Sequence, residues 1–246
     1  MKLENKVVII TGGTKGLGKA IALGFLREGA IVICAGRQPY DFEEFTAPFN
    51  ERAMYCEVDV RKPESVKNMI KVIIDKFEKI DIMVANAGVL RDSTLIKMTY
   101  DQWFESIDTN LTGVFNCTHS VIPHMLEKGS GHIINISSAA ASRVNIGQAN
   151  YCASKAGVEM FTKVAAIELG SKGIMVNCIS PGIIEEGMGE SLSQKELIWE
   201  KYKKRMSLRR SGTGEEIAKA ALFLATESSS YVNGHILEVN GGLLWA

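Results

Sequence analysis

Tyr151 and Lys155 stand four residues apart, and Ser138 precedes the tyrosine by thirteen. At that spacing the phenol and the ammonium share one helix face, one turn above each other. A free phenol titrates near ~10, so it is a reluctant proton donor or acceptor at neutral pH. An ammonium one turn away favours tyrosinate and lowers that value. A Ser hydroxyl beside the phenol would hold a substrate oxygen. Such a trio moves a proton onto or off the oxygen of a carbonyl/alcohol pair. It has no hydride, so the remaining chain has to supply a nicotinamide site.

The run VVII at 7–10 reads as a buried strand. It leads into Thr11-Gly-Gly-Thr-Lys-Gly-Leu-Gly18, followed by an apolar-periodic helix with Ala20, Ile21, Leu23 and Phe25. Strand, Gly-rich turn and helix make a phosphate cradle. The glycines let backbone N–H groups approach a pyrophosphate, and the helix N-terminus adds a positive dipole end. The pattern is TGxxxGxG rather than GxGxxG, and Gly12, Thr14, Lys15, Gly16, Leu17 and Gly18 are its candidate contacts. A second strand covers 30–35. At its end an NAD site carries an acid for the ribose 2′-hydroxyl; this chain has Gly36-Arg37. A guanidinium suits a 2′-phosphate, and Lys15 adds a second positive charge. The expected cofactor is therefore NADP(H).

Further strands are expected at 54–58, 80–85, 132–136, 174–179 and 235–239, and helices at 64–77, 99–128, from Tyr151 to about 170, and 215–225. The long helix at 99–128 is expected to break or bend near Asn110-Leu-Thr-Gly113. The fold class is α/β: a single Rossmann-type domain over 1–246, with a doubly wound parallel sheet of about seven strands and helices on both faces. The fifth strand delivers Ser137 and Ser138 at the sheet edge where ligands collect. Strand alternation points these two serines to opposite sides, and the spacing to Tyr151 favours Ser138.

Lys plus Arg and Asp plus Glu both number 28, so the net charge is zero. That balance argues against a nucleic-acid or anionic-membrane role. The five cysteines lack CxxC spacing and read as free thiols, for which a reducing cytoplasm is the natural compartment. The four histidines form no ligand cluster, so no metal site is expected. The N-terminal MKLENKVVII has neither a cleavable apolar region nor a membrane-length span.

Laid out in order, TGGTKGLG at 11–18, Asp59-Val60, Asn86-Ala-Gly88, Asn110, Ser138, Tyr151-x3-Lys155, Asn177, Pro181-Gly182 and Val239-Asn-Gly-Gly242 resemble the short-chain dehydrogenase/reductase family along the whole chain. The resemblance implies roles. Asp59 and Val60 would lie along the adenine, and Asn86, Ala87 and Gly88 would flank its ribose. Pro181, Gly182 and Ile184 would pack on the nicotinamide. Tyr151 would be the general acid/base, and Lys155 would bind the nicotinamide ribose as well as tune the phenol. Ser138 would orient the carbonyl. Asn110 would hold the helix kink and a water leading protons towards Lys155.

Gly88-Val-Leu-Arg-Asp92 and Asn145-Ile-Gly-Gln-Ala-Asn-Tyr151 are most similar to 3-oxoacyl-acyl-carrier-protein reductases and acetoacetyl-CoA reductases. This implies an acyl thioester substrate, an acyl carrier protein as a docking partner, and a homotetramer built through 100–128, 151–170 and the C-terminal strand. The apolar face of the second helix with Val158, Phe161, Val164 and Ala165 is compatible with that assembly and equally with burial in a monomer's core. Carbonyl reductases and alcohol or sugar dehydrogenases of the same family share parts of the pattern. A dinucleotide-sensing module without turnover is the rival from another class.

Three positions depart from the resemblance. Glu186 stands where Thr is usual, and pointing inward it would favour the oxidised ring. Gly129-Ser130 replaces basic residues beside the carrier-protein site, leaving Lys128 and Lys172. Ser207 stands where Pro is frequent. The segment 187–206 is expected to be a substrate lid, and the basic cluster at 201–210 reads as a solvated face or as a phosphate or acidic-partner contact.

Overall fold

Each central strand is apolar on both sides, as parallel strands covered by helices must be. In the first strand, Val7 and Ile9 join one core cluster while Val8 and Ile10 join another. The computed structural model describes residues 1–187 and 196–243. Among these, β1 (Val7–Thr11), β2 (Ile31–Gly36), β3 (Ala53–Glu57), β4 (Ile82–Ala85), β5 (Gly131–Ile136), β6 (Ile174–Pro181) and β7 (Ile236–Val239) form one sheet in the order β3-β2-β1-β4-β5-β6-β7. All its pairings are parallel. The expected seven-stranded doubly wound sheet is therefore observed.

Helices α3 (Pro63–Phe77), α5 (Gly113–Lys128) and α6 (Ala149–Gly170) cover the face with Val7 and Ile9. Helices α1 (Gly16–Arg27) and, near the C-terminus, Gly214–Leu224 cover the other. Phe25, Leu26 and Ile21 of α1 are fully buried there; burial of a side chain of this size stabilises the fold by about 1.5–3 kcal/mol. Residues 38–50 contain the short helix α2 (Phe42–Thr46) and the start of a 3₁₀ turn (Ala47–Arg52). Phe42, Phe45 and Phe49 of this segment pack against the second core.

The expected break in the long helix is a π-turn, Asp108–Thr112, between α4 (Tyr100–Ile107) and α5. It carries fully buried Asn110, whose amide holds the Val89 backbone from both sides: Oδ1 accepts from the Val89 N–H at 2.7 Å and Nδ2 donates to the Val89 carbonyl at 3.0 Å. The start of α6 is tied to the same loop. Asn150 donates to the carbonyls of Arg91 and Gln102, both at 3.0 Å. Helix α7 (Glu196–Arg205) follows β6, and α8 (Gly214–Leu224) opens on a capping box between Thr213 and Glu216.

From β1 the chain winds through β2 to the β3 edge, then crosses back to β4 on the other side of β1. The connections part above the C-terminal ends of β1 and β4, which is where this architecture opens a crevice.

Candidate active site

The turn after β1 shapes one half of that crevice. Lys15 caps α1 with no side-chain hydrogen bond, and the first turn holds no acid. A helix start of this kind, uncapped and without acids, suits an anion. Gly12 has φ +67°, and a Cβ on Gly18 would collide with the Gly12 carbonyl. Thr11 Oγ1 accepts from the N–H groups of Asn86 and Ala87, both at 3.0 Å, which ties the β1 turn to the β4 exit. Leu17 packs into the core below.

A cavity of about 140 Å³ gathers Gly12, Thr14, Lys15, Arg37, Asp59, Val60, Ala87 and Gly88 on one wall-to-wall surface. Gln38, Tyr40, Arg61 and Thr109, which the sequence reading missed, also line it. Lys15 Nζ donates to the Tyr40 hydroxyl at 2.8 Å and lies 4.4 Å from the ring centre. Arg61 forks onto Asp59 at 2.9 and 2.6 Å and holds that carboxyl below its usual range; Arg37 adds a weaker pull. A glycine cradle at a helix N-terminus, an acid-free β2 exit and three cationic side chains fit a dinucleotide with an anionic ribose end.

The other half of the crevice is the proton-transfer site. Alternation along β5 sends Asn135 and Ser137 towards α6: Ser137 Oγ lies 3.0 Å from Glu159 Oε1 and 3.2 Å from the Lys155 carbonyl. Ser138 turns the other way. It caps the turn Ala139–Ala141, accepting from the Ala140 N–H at 3.2 Å, and is hydrogen-bonded to Tyr151. Lys155 donates from Nζ to the Ile136 carbonyl at 2.8 Å and lies 5.7 Å from the Tyr151 ring centre. Asn110 and Lys155 both close on Gly88, linking this half to the first.

The electrostatics differ from the simple expectation for a Tyr–Lys pair. Burial raises the Tyr151 phenol above its ordinary value, against a smaller lowering by the Ser138 bond. Burial also pushes the Lys155 ammonium down to about 8. Desolvation disfavours the charged form of both groups, and it outweighs the Coulomb attraction that helix spacing suggests. Both groups are nearly inaccessible, Tyr151 at 8% and Lys155 at 3% exposure.

Pro181 ends β6 opposite Val239, and the Gly182 N–H donates to the Val239 carbonyl at 3.0 Å. Ile184 is buried and bridges to Gly212. Glu186 does not stand free towards this crevice: its carboxylate accepts from the Gly214 N–H at 2.7 Å, at the start of α8. A carboxylate is favoured at that helix end, which accounts for its tolerance where Thr is usual. Ser207 donates to the Gly241 carbonyl at 3.0 Å.

In the expected lid, residues 188–195, with Met188 and Leu192, lie outside the described residues. Met206 is buried with Leu243 and Ala139, and Trp199 packs against them. Much of the basic cluster is engaged: Lys203 pairs with Glu200, Arg210 forks onto Glu216, and Arg209 donates to backbone carbonyls. Lys128 is tied to Asp81. Of the helix face offered for assembly, Val158 and Ala165 are core residues, Phe161 is part-buried and Val164 is exposed. Burial of the first two follows from α6 lying directly on β5 and β6.

A family model described as enoyl-(acyl carrier protein) reductase matches residues 12–244. The chain is 39% identical to the 3-oxoacyl-[acyl-carrier-protein] reductase FabG of Thermotoga maritima, covering 99% of this chain and 100% of that one. It is 40% identical to the enzyme of the same name from Chlamydia muridarum, over 98% of each chain. The crystal structure of gox2181 superposes with a TM-score of 0.94 at 31% identity, covering 98% of this chain and 96% of its own.

Proposed function

The chain belongs to the short-chain dehydrogenase/reductase family and is an oxidoreductase of the CH–OH/C=O pair using a nicotinamide dinucleotide; from that premise we propose that it reduces 3-oxoacyl thioesters with NADPH. The observation that carries the reading is the buried Tyr151, bonded to Ser138 and underlain by Lys155, at the same crevice as the glycine cradle. Reduction at a carbonyl, rather than at a C=C bond, is favoured because a phenol and a hydroxyl converge on one oxygen position.

Gly12, Thr14, Gly16, Leu17 and Gly18 would receive the pyrophosphate, and Arg37 and Lys15 the ribose 2′-phosphate. Asp59, Val60, Asn86, Ala87 and Gly88 would flank the adenosine, and Pro181, Gly182 and Ile184 the nicotinamide. The bound nicotinamide supplies the hydride at C4. Tyr151 gives its phenolic proton to the carbonyl oxygen as the alkoxide develops, with Ser138 as second donor. Lys155 would hold the ribose hydroxyls and, with its ammonium lowered by burial, pass a proton towards the phenol. Asn110 keeps Val89 and the π-turn in place beneath it.

The relatives' printed names and the 88–92 and 145–151 stretches support the thioester substrate; an acyl carrier protein and a homotetramer are proposed on the same footing. The engagement of Lys128 by Asp81 leaves Lys172 as the basic group at the expected docking position. Among the described residues no helix is long and apolar enough to cross a membrane, and five free thiols suit a reducing cytoplasm. Glu186 is proposed to act on the substrate end through α8 and not by direct contact. The second reading, a carbonyl reductase or an alcohol or sugar dehydrogenase, draws on Gly129-Ser130 and Glu186.

One screen tests these statements. NADPH and NADH oxidation are measured with acetoacetyl and longer 3-oxoacyl thioesters, simple ketones and sugars. The proposal expects the highest kcat/KM for a thioester with NADPH. A higher value for ketones or sugars overturns the substrate, a preference for NADH overturns the cofactor, and binding without turnover favours the sensing module.

A further inference from the structure

One turn beyond Lys155, on the same side of α6, stands Glu159. Nothing in the proton-transfer scheme uses it, yet it is half-buried behind the β5 and β6 strand ends. Its Oε1 lies 3.0 Å from Ser137 Oγ, and Ser180 of β6 is also hydrogen-bonded to it. Ser137 sits between the two groups that matter. The carbonyl before it, Ile136, is the acceptor for Lys155 Nζ at 2.8 Å, and the residue after it, Ser138, bonds Tyr151.

The Ser137 hydroxyl has one hydrogen and two acceptors, the Glu159 carboxylate and the Lys155 carbonyl at 3.2 Å. A charge-assisted bond is the stronger, so an ionised Glu159 takes it. That bond fixes the serine's rotamer and with it the strand end. Buried Cys178 on β6 is raised by the Glu159 charge and lowered by that of Lys155, so both charges act on one sulfur. Side chains four apart on a helix have Cβ atoms about 6 Å apart.

We propose that Glu159 is a positioning residue for the Tyr151–Lys155 pair: through Ser137 it fixes the strand end that anchors Lys155 and Ser138. The catalytic consequence rests on the carbonyl-reductase reading; the anchoring of the strand end does not. The groups facing Glu159 are Lys163 on α6, Ser137 just after β5, Ser180 and Cys178 on β6, and Glu238 on β7. Glu238 is itself bonded by Arg143 at 2.8 Å and by Asn240. Burial raises the Glu159 carboxyl, and Glu238 adds to that, against smaller lowering by the Ser137 bond and Lys163.

Glu159→Gln keeps an acceptor for the Ser137 hydroxyl, whereas Glu159→Leu removes it. The Lys155 midpoint, read by NMR of ¹³Cε-lysine with Lys155→Arg for assignment, is expected to stay within ~0.2 pH unit of wild type in Glu159→Gln and to fall by about half a pH unit in Glu159→Leu, where the Ile136 carbonyl is no longer held. The alkaline limb of kcat/KM for NADPH-dependent reduction is expected to follow the same pattern, with kcat of Glu159→Gln at pH 6.5 within about threefold of wild type. Glu159→Leu and Ser137→Ala are expected to lower kcat about fivefold to tenfold, non-additively in the double variant. An unmoved Lys155 midpoint in Glu159→Leu overturns the anchoring of the lysine, whatever the enzyme turns over. Equal losses in Gln and Leu variants with an unmoved alkaline limb, or no loss in either, overturn the positioning role. Wild-type inactivity across the substrate screen would count against the reductase reading and leave the NMR result to decide the inference.

Discussion

The two edges of the sheet bury opposite charges and treat them in opposite ways. At the N-terminal edge, Asp81 is 3% exposed and accepts from the Val7 N–H at 2.8 Å. Lys128 bonds it, and Lys79 and Lys6 stand 3.5 and 3.8 Å away. At the C-terminal edge, Lys155 is equally buried, but its hydrogen-bond acceptor among the described residues is the neutral Ile136 carbonyl. Burial alone would raise the Asp81 carboxyl; the Lys128 bond, the Val7 amide and the neighbouring charges outweigh it and hold it below the usual range. Lys155 has no such compensation, and burial takes it down to about 8. A buried charge with partners is locked in one protonation state and stabilises the fold. A buried charge without them sits near the point of releasing its proton, which is useless for stability and is what a proton relay needs.

The largest test of this contrast is chemical. Tyr151→Phe is expected to lower kcat about 10³-fold with thermal stability unchanged and NADPH affinity, by fluorescence titration, within about twofold. Substantial residual turnover would mean that another group supplies the proton. Next in size, Asp81→Ala leaves the Val7 amide and three ammonium groups without their acceptor. Urea unfolding is expected to show a loss of about 3 kcal/mol at neutral pH, with kcat per folded molecule unchanged. Lys155→Met should do the reverse: turnover falls while the folded state gains about 1 kcal/mol, because an apolar chain replaces an uncompensated buried charge.

The smallest tests use pH. The Asp81 carboxyl is depressed in the folded state, so its contribution is fully present above the unfolded value near ~4 and is lost as pH falls through the folded value. Asp81→Asn should flatten that acidic fall in stability. Lys155 is also depressed, from an unfolded value near ~10.4. Between about 8 and that value the unfolded chain binds more protons, so stability rises with pH. Lys155→Met should remove this rise. If both variants follow the wild-type pH curve, the two edges do not differ as described.

Several parts of this contrast were readable from sequence and others were not. Ser138 could be preferred over Ser137 because a strand alternates and Tyr151 lies at a set spacing. The helix break at Asn110 and the glycine cradle were readable for the same reason: each is a local pattern. Asp81 carried no signal, since its lysines come from positions 6, 79 and 128, brought together only by the order β1-β4-β5. The grip of Arg61 on Asp59, Tyr40 beneath Lys15 and Glu159 behind Ser137 were missed; each pairing depends on a turn or on strand register. The face with Val158 and Ala165 fitted a subunit interface and a monomer's core equally well in the sequence, because helix period alone does not say which side meets the sheet; both residues are in the core.

By itself, then, the sequence determined the class of chemistry: a tyrosine, a lysine and a serine at set intervals, a glycine turn between strand and helix, and a basic residue where an acid would stand. Those are statements about neighbours along the chain, and backbone periodicity is enough to make them. The tertiary structure decided how charged each group is. Lys155 and Tyr151 are set by how completely water is excluded, and Asp81 and Glu159 by which strand ends meet them. Desolvation and Coulomb energy depend on distances in space, and no spacing in the sequence encodes those until the sheet order is known.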